Sequence, residues 1–230
     1  MTTKKTSKSS GLCMRKLSNT YYFSVEGKTE QWYLKWLGRT INNCPKVAKY
    51  AKIDCRVQKN PVSRVKTMKV LSQTEITHIF DRESEDQEHE KKFENTLMRM
   101  KEAQKKKKDI RYKLGYSNFS FELWILLHKT DCCKTLNHRG QYFSLINRTF
   151  GENFSSMDEY KEEKNFNRIL DTFTLDDVWS AIRRSERIMK NNKDKGYTAH
   201  QYLGYEYYTV NPSLSVWEVV KKILTECLNP

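Results

Sequence analysis

The stretch YYFSVEGKTE, residues 21–30, decides how the rest of the chain is read, together with the shorter THIFDRE at 77–83. Each opens on a run rich in aromatic and β-branched residues, the composition of a buried strand. Each run then ends abruptly on an acid. Tyr21, Tyr22, Phe23, Ser24 and Val25 deliver Glu26, while Thr77, His78, Ile79 and Phe80 deliver Asp81. Ligands of an open α/β sheet sit in the crevice beyond the carboxyl ends of the strands, so Glu26, Asp81 and Glu83 are expected to converge there. Gly27 is read as a sharp turn, after which a helix opening at Lys28 or Thr29 carries Glu30 about one turn further on. Capping of the following helices is the plainer reading for either acid alone, but two acids at matching strand ends favour a site.

Carboxylates gathered in one crevice raise one another's pKa, and a divalent metal is the natural compensation. Clustered oxygen donors without histidine or thiolate describe a Mg²⁺ site, with Mn²⁺ as its substitute. The cluster His128, Cys132, Cys133 and His138 is read as core packing rather than zinc, because vicinal cysteines are awkward ligands of one tetrahedral ion. Six cysteines with no C-x-x-C spacing fit a reducing compartment.

The alternation of elements carries the fold class. Trp32, Trp36 and Leu37, with Tyr33, mark the inner face of a first helix that Gly38 should stop. Ile53, Cys55 and Val57 alternate as a strand, and Asn60 with Pro61 opens a helix that turns Val62, Val65, Met68 and Val70 or Leu71 inward and Arg64, Lys66 and Lys69 outward. After Asp81, the acids Glu85 and Asp86 begin a long helix with Phe93, Leu97 and Met100 on one face. Its trailing run 105–108 is all lysine and reads as a solvated face, with phosphate contact as the second reading. Ile110, Tyr112, Leu114 and Tyr116 form another strand. The apolar segment FELWILLH follows, burying Glu122, which therefore needs a partner. This order predicts an α/β sheet with crossover helices.

Taken together, VEGKTE after a strand, FDRE after another, SNFSFELWILLH at 117–128 and the late NPSLSVWEVVKKIL resemble the RloB-like family, whose fold is similar to the Toprim domain of topoisomerases, primases and OLD-type nucleases. The resemblance implies a Toprim-like, mainly parallel sheet flanked by helices, with a predominantly helical C-terminal half. It implies Glu26 in acid-base work and Asp81 with Glu83 on Mg²⁺. Glu83 stands here in place of a second aspartate, and Phe119 in place of the family's usual proline. Resemblance also implies the toxic effector of a bacterial antiphage, abortive-infection system, encoded beside a partner ATPase.

Lys and Arg number 42 against 28 acids, a net charge of +14, which points to nucleic acid as the partner. No stretch approaches the roughly 20 apolar residues of a membrane span, and a cytoplasmic protein is expected. Residues 1–18 read as a mobile basic tail, 19–130 as the α/β core and 131–230 as a helical region packed on it. In that region Thr174 and Asp177 form a capping box ahead of a helix burying Leu175, Val178, Trp179, Ile182 and Met189. Arg183, Arg184, Arg187 and Lys190 line its other face and are candidates for nucleic-acid backbone contact. Tyrosines 197, 202, 205, 207 and 208 suit either stacked bases or a packed turn. A final helix buries Val216, Val219, Val220, Ile223, Leu224 and Cys227.

The resulting expectation is a metal-dependent nuclease. Glu26, Asp81 and Glu83 hold the metal, Glu30 and Glu122 support them, and Lys28 and Arg82 offset charge on the phosphodiester. A non-catalytic nucleic-acid-binding subunit of an ATPase-containing complex is the alternative. Phosphoryl transfer at the same site ranks third, and no P-loop GxxxxGK[ST] is present.

Overall fold

The structure is a computed structural model that describes residues 17–84, 86–131 and 140–228. Glu85, Cys132, Cys133, His138 and all but the end of the basic tail lie outside the described residues.

The first half runs β1 (Ser18–Val25), α1 (Lys28–Asn42), β2 (Tyr50–Val57), α2 (Pro61–Lys66), β3 (Thr74–Arg82), α3 (Gln87–Lys106), β4 (Ile110–Asn118) and α4 (Glu122–Leu126). The second half adds α5 (Gln141–Phe150), α6 (Met157–Tyr160), α7 (Glu163–Leu170), α8 (Leu175–Asp194), β5 (His200–Tyr202), β6 (Tyr205–Tyr207), β7 (Ser213–Leu214) and α9 (Val216–Leu228). Five strands form one sheet in the order β2-β1-β3-β4-β7, and β5 pairs with β6 apart from it. The first four are parallel and β7 is antiparallel to β4. Strand order reverses between β1 and β3, so the crevice at their carboxyl ends is a topological switch point.

Both faces of the sheet are covered, as a parallel sheet requires. Tyr21, Phe23, Val25 and Ile79 pack with α1, α4, α7, α8 and α9. Ile76, Phe80, Tyr112 and Tyr116 pack on the other face against α2, α3, Tyr205 and Tyr207. The apolar cluster on the first face joins residues from both halves of the chain. Side chains alternate across a strand. Asp81 therefore shares the Ile79 face, toward α1 and α4, while Arg82 shares the Phe80 face.

Local signals mostly produce the expected elements. The Asn60 side chain caps α2 by accepting from Val62 N at 3.0 Å. Thr174 and Asp177 form their reciprocal capping box. In α3, Phe93, Leu97 and Met100 are buried, and α9 buries Val216, Val220, Ile223, Leu224 and Cys227.

Four expectations need correction. Gly38 does not stop α1, which runs on to Asn42. A Cβ at Gly38 would lie 2.7 Å from Ile53 Cγ1, so this glycine lets α1 lie close on β2. The second helix ends at Lys66 rather than running on to Val70, and of the pair it is Val70 that packs inward while Leu71 is fully exposed. Arg64, expected outward, is buried and donates from Nη2 to Asp54 Oδ1 at 2.8 Å. The second half carries three short strands besides its helices. Tyr205, Tyr207 and Tyr208 are buried, and Tyr116 Oη accepts from Tyr208 N, so these rings serve packing rather than an open stacking surface.

Candidate functional site

Two strand ends and two helix starts bring acids together at the switch point. Glu26 follows β1 and Asp81 closes β3; the Asp81 N–H donates to Glu26 Oε2 at 3.4 Å. Glu30 sits in the first turn of α1 and is buried. Glu122 opens α4, is also buried, and accepts from Ser120 Oγ. These carboxylates act on one another. Burial first, then Glu30, Glu122 and Glu26, pushes the Asp81 carboxyl well above its ordinary range. Burial, with Glu122 and Glu26 nearby, pushes Glu30 up to about 7, against a partial pull downward from the Thr29 hydroxyl. Asp81 Oδ1 is buried and has no hydrogen-bond partner among the described residues.

Gly27 serves this cluster through space, not through its backbone angle. Its φ of −131° is open to any residue. A Cβ there would lie 2.8 Å from Glu30 Oε2, so the absent side chain is what lets the Glu30 carboxylate fold back. Gly27→Ala is therefore expected to leave the melting temperature nearly unchanged, because the end of a flexible side chain can move aside. It should nevertheless displace Glu30 and lower any activity of the site about 10-fold, in line with the loss of an outer-shell contact. Circular dichroism melts alongside activity measurements check this.

Lys161 is the cation that sequence reasoning missed. It follows α6, and its Nζ stands 3.4 Å from Glu122 Oε1. Burial pulls the Lys161 ammonium down, but Glu122, Asp81 and Glu30 outweigh this and hold it above its ordinary range. Its neighbour Tyr160 is fully buried, with a hydroxyl that has no partner among the described residues. Burial, Glu122 and Glu30 raise that phenol far above its usual value, so it stays protonated. The only sequence signal for Lys161 is a basic residue amid DEYKEE, which looks like surface.

Glu83 lines the same cleft as Glu26 and Asp81, and has a partner there that the sequence did not show. The strand ends at Arg82, so the rule that alternate residues share a face lapses one residue too soon. Glu83 Oε2 stands 2.8 Å from His89 Nε2, and His89 Nδ1 is 2.7 Å from Asp86 Oδ2. Asp86 also caps α3. Glu26, Asp81, Glu83, His89, Lys59 and Lys92 all line one cleft of about 420 Å³. Glu83 thus shares this cleft with Glu26 and Asp81 while it is paired to His89.

The expected basic helpers separate as well. Lys28 is exposed at the start of α1. Arg82 is buried on the opposite face and donates to Thr209 O at 3.0 Å. On α8, Arg183 and Lys190 are exposed and Arg187 pairs with Asp131. Arg184 donates to the carbonyls of Leu127 at 2.6 Å and His128 at 3.0 Å, which fastens α8 to the end of α4. His128 itself is core: its Nδ1 bonds Trp124 O at 2.9 Å and its ring stacks on Phe173.

Among the described residues, no three His, Cys, Asp or Glu side chains stand in an arrangement that would hold a metal ion. The donor chemistry nevertheless suits a hard divalent cation: the acids offer oxygen alone, and Asp81 Oδ1 is buried without a partner among the described residues. No helix among the described residues is long and apolar enough to cross a membrane.

Neither a curated protein nor a solved structure matches this chain. The sequence profile of one family does match, over residues 21–223, and that span holds both acid-bearing strands, Glu30, Glu122 and Lys161. The chain belongs to the RloB-like protein family.

Proposed function

We propose that the protein is a metal-dependent nuclease that cleaves nucleic-acid phosphodiesters at the Glu26, Glu30, Asp81 and Glu122 cluster. The observation that carries this reading is the convergence of these acids at the switch point of a parallel sheet, around an unpartnered Asp81 oxygen. Like-charged groups held this close in a buried place are costly to the fold, which is the mark of a functional cluster. Glu26 and Asp81 would hold the cation, with Glu30 and Glu122 behind them. Mg²⁺ or Mn²⁺ bound there would polarise a phosphoryl oxygen and lower the pKa of a bound water.

The chain's own residues supply the remainder. Glu26, at the cleft wall, accepts the proton of the attacking water. As the water oxygen bonds to phosphorus, the ester P–O bond breaks and the leaving oxygen takes a proton from solvent. Lys161 offsets negative charge growing on the phosphoryl oxygens. The net charge of +14 draws the polyanionic substrate to the surface. We further propose the defence role and the partner ATPase that the family resemblance suggests.

The test is cleavage of DNA and of total RNA by the purified protein in Mg²⁺, Mn²⁺ or EDTA, repeated with the proposed partner ATPase. Cleavage that appears only with divalent metal supports the reading. Metal-independent cleavage, or none under any of these conditions, overturns it. A second readout needs no turnover. Because Glu30 titrates at about 7 and Asp81 also lies high, Mn²⁺ binding at pH 6.5 should release protons. Calorimetry in buffers of different ionisation enthalpy measures that release.

A further inference from the structure

A second cleft, of about 610 Å³, opens beside the acids at the carboxyl end of β2. Arg56, Arg64 and Lys69 line it with Gln58, Thr67, Tyr22 and Asp54. Its position relative to the acids is set by the sheet: Val57 pairs with Val25, and Gln58 N donates to Val25 O at 2.9 Å, one residue before Glu26. Lys59, next along the chain, already belongs to the acid-lined cleft. The basic and acidic clefts are therefore neighbours along one edge of the sheet.

Three cations face one acid here. Asp54 Oδ1 receives Arg64 Nη2 at 2.8 Å and Arg56 Nε at 3.6 Å, so a single carboxylate serves two guanidinium groups. Lys69 has no ion pair among the described residues. Arg64 is only 5% exposed, yet its Nε is buried without a hydrogen-bond partner among the described residues. A guanidinium with a donor unmet, sharing its one carboxylate with a second guanidinium, leaves positive charge for an oxyanion that offers several acceptor oxygens. A phosphate supplies that acceptor geometry, and the adjoining acid cluster gives a reason for a phosphate to be held there.

We propose that this cleft is a phosphate subsite that binds a non-scissile phosphate of the nucleic-acid backbone and sets the strand across the acid cluster. Arg64 is the fixed anchor, and Arg56 and Lys69 are the mobile clamps. The proposal rests on the nuclease reading for its substrate, but its test is binding, not cleavage.

The experiment measures binding of a fluorescent single-stranded oligonucleotide to the full chain as a function of salt, without divalent metal. Wild type is compared with the double variant Arg56→Gln/Lys69→Gln. Both positions are exposed, and the Asp54–Arg64 pair remains, so the fold should persist. Loss of two phosphate contacts should flatten the slope of log K against log salt by about 1.4, at roughly 0.7 per contact on single strands. An unchanged slope and affinity would overturn the subsite. A mononucleotide competitor forms the other arm. If it binds with Arg56 and Lys69 dependence while the oligonucleotide does not bind, the cleft serves a small phosphate ligand and the backbone assignment falls. The two readings fail separately. Clamp-dependent binding by a protein that never cleaves removes the nuclease and leaves the subsite, whereas cleavage with a clamp-independent slope does the reverse.

Discussion

Asp81→Asn should abolish metal-dependent cleavage while making the metal-free protein more stable at pH 8. Loss of an outer-shell partner of a metal site typically costs 10-fold to 100-fold, so loss of a group on the metal itself should cost at least about 100-fold. The stability gain follows from linkage. A carboxyl whose folded pKa is raised contributes stability that is fully present below its unfolded pKa and is lost as pH rises through the folded value. Asp81 is raised by burial and by Glu30, Glu122 and Glu26, and Glu30 is raised from 4.5 to about 7. The metal-free protein should therefore lose stability between about pH 4.5 and pH 7 as Glu30 is forced to ionise, and again as pH rises through the raised value of Asp81. Asparagine at 81 removes a carboxyl whose ionisation burial and three neighbouring acids oppose. Glu30→Gln should act in the same direction, by up to about 3 kcal/mol, since each tenfold change in proton affinity is worth roughly 1.4 kcal/mol. Urea denaturation at pH 5 and pH 8 gives the comparison. An Asp81→Asn protein that is less stable than wild type at pH 8 would make Asp81 a structural partner instead of a strained site acid.

Lys161→Met should do the opposite to stability and the same to activity. Its ammonium, 3.4 Å from Glu122, is the counter-charge that makes the cluster tolerable without metal. Removing one partner of a buried ion pair typically costs about 3–5 kcal/mol; Lys161 is about one-third exposed, so a loss of about 2 kcal/mol at pH 7 is expected after solvent screening. Glu122→Gln in the same background should recover most of that loss, because the uncompensated charge disappears with it. Cleavage should remain at least 10-fold down in both, as expected for a lost electrostatic stabiliser. A double-mutant cycle by denaturation isolates the coupling. If the two substitutions prove additive in stability, Lys161 is not the counter-charge of this cluster.

In the proposed reading, the two clefts and the acid cluster put both halves of a phosphodiester site along one edge of the sheet. Acids need a cation between them, and phosphates need cations around them. The β2-β1-β3 order places the first need between β1 and β3 and the second at the carboxyl end of β2.

What the sequence determined by itself was whatever depends on near neighbours along the chain. The alternating strands, the Asn60 and Thr174 caps and the inner faces of α3 and α9 were legible because strand period, helix period and capping are local properties. Acids ending β1 and β3 pointed to the crevice for the same reason, and Glu122 stood out because a carboxyl inside FELWILLH must find a partner. Only the tertiary structure decided which groups meet. Glu83 was legible as a crevice acid and lines the cleft with Asp81, but its pairing with His89 came only from packing. Arg82 looked like a phosphate helper until the pleat turned it to the buried face, and Arg64 looked like surface until Asp54 drew it inward. Lys161 lies 39 positions beyond Glu122 in a segment that reads as ordinary charged surface. A charge gains its meaning from the charges a few ångströms away, and those distances are made by packing between elements, which no local pattern records.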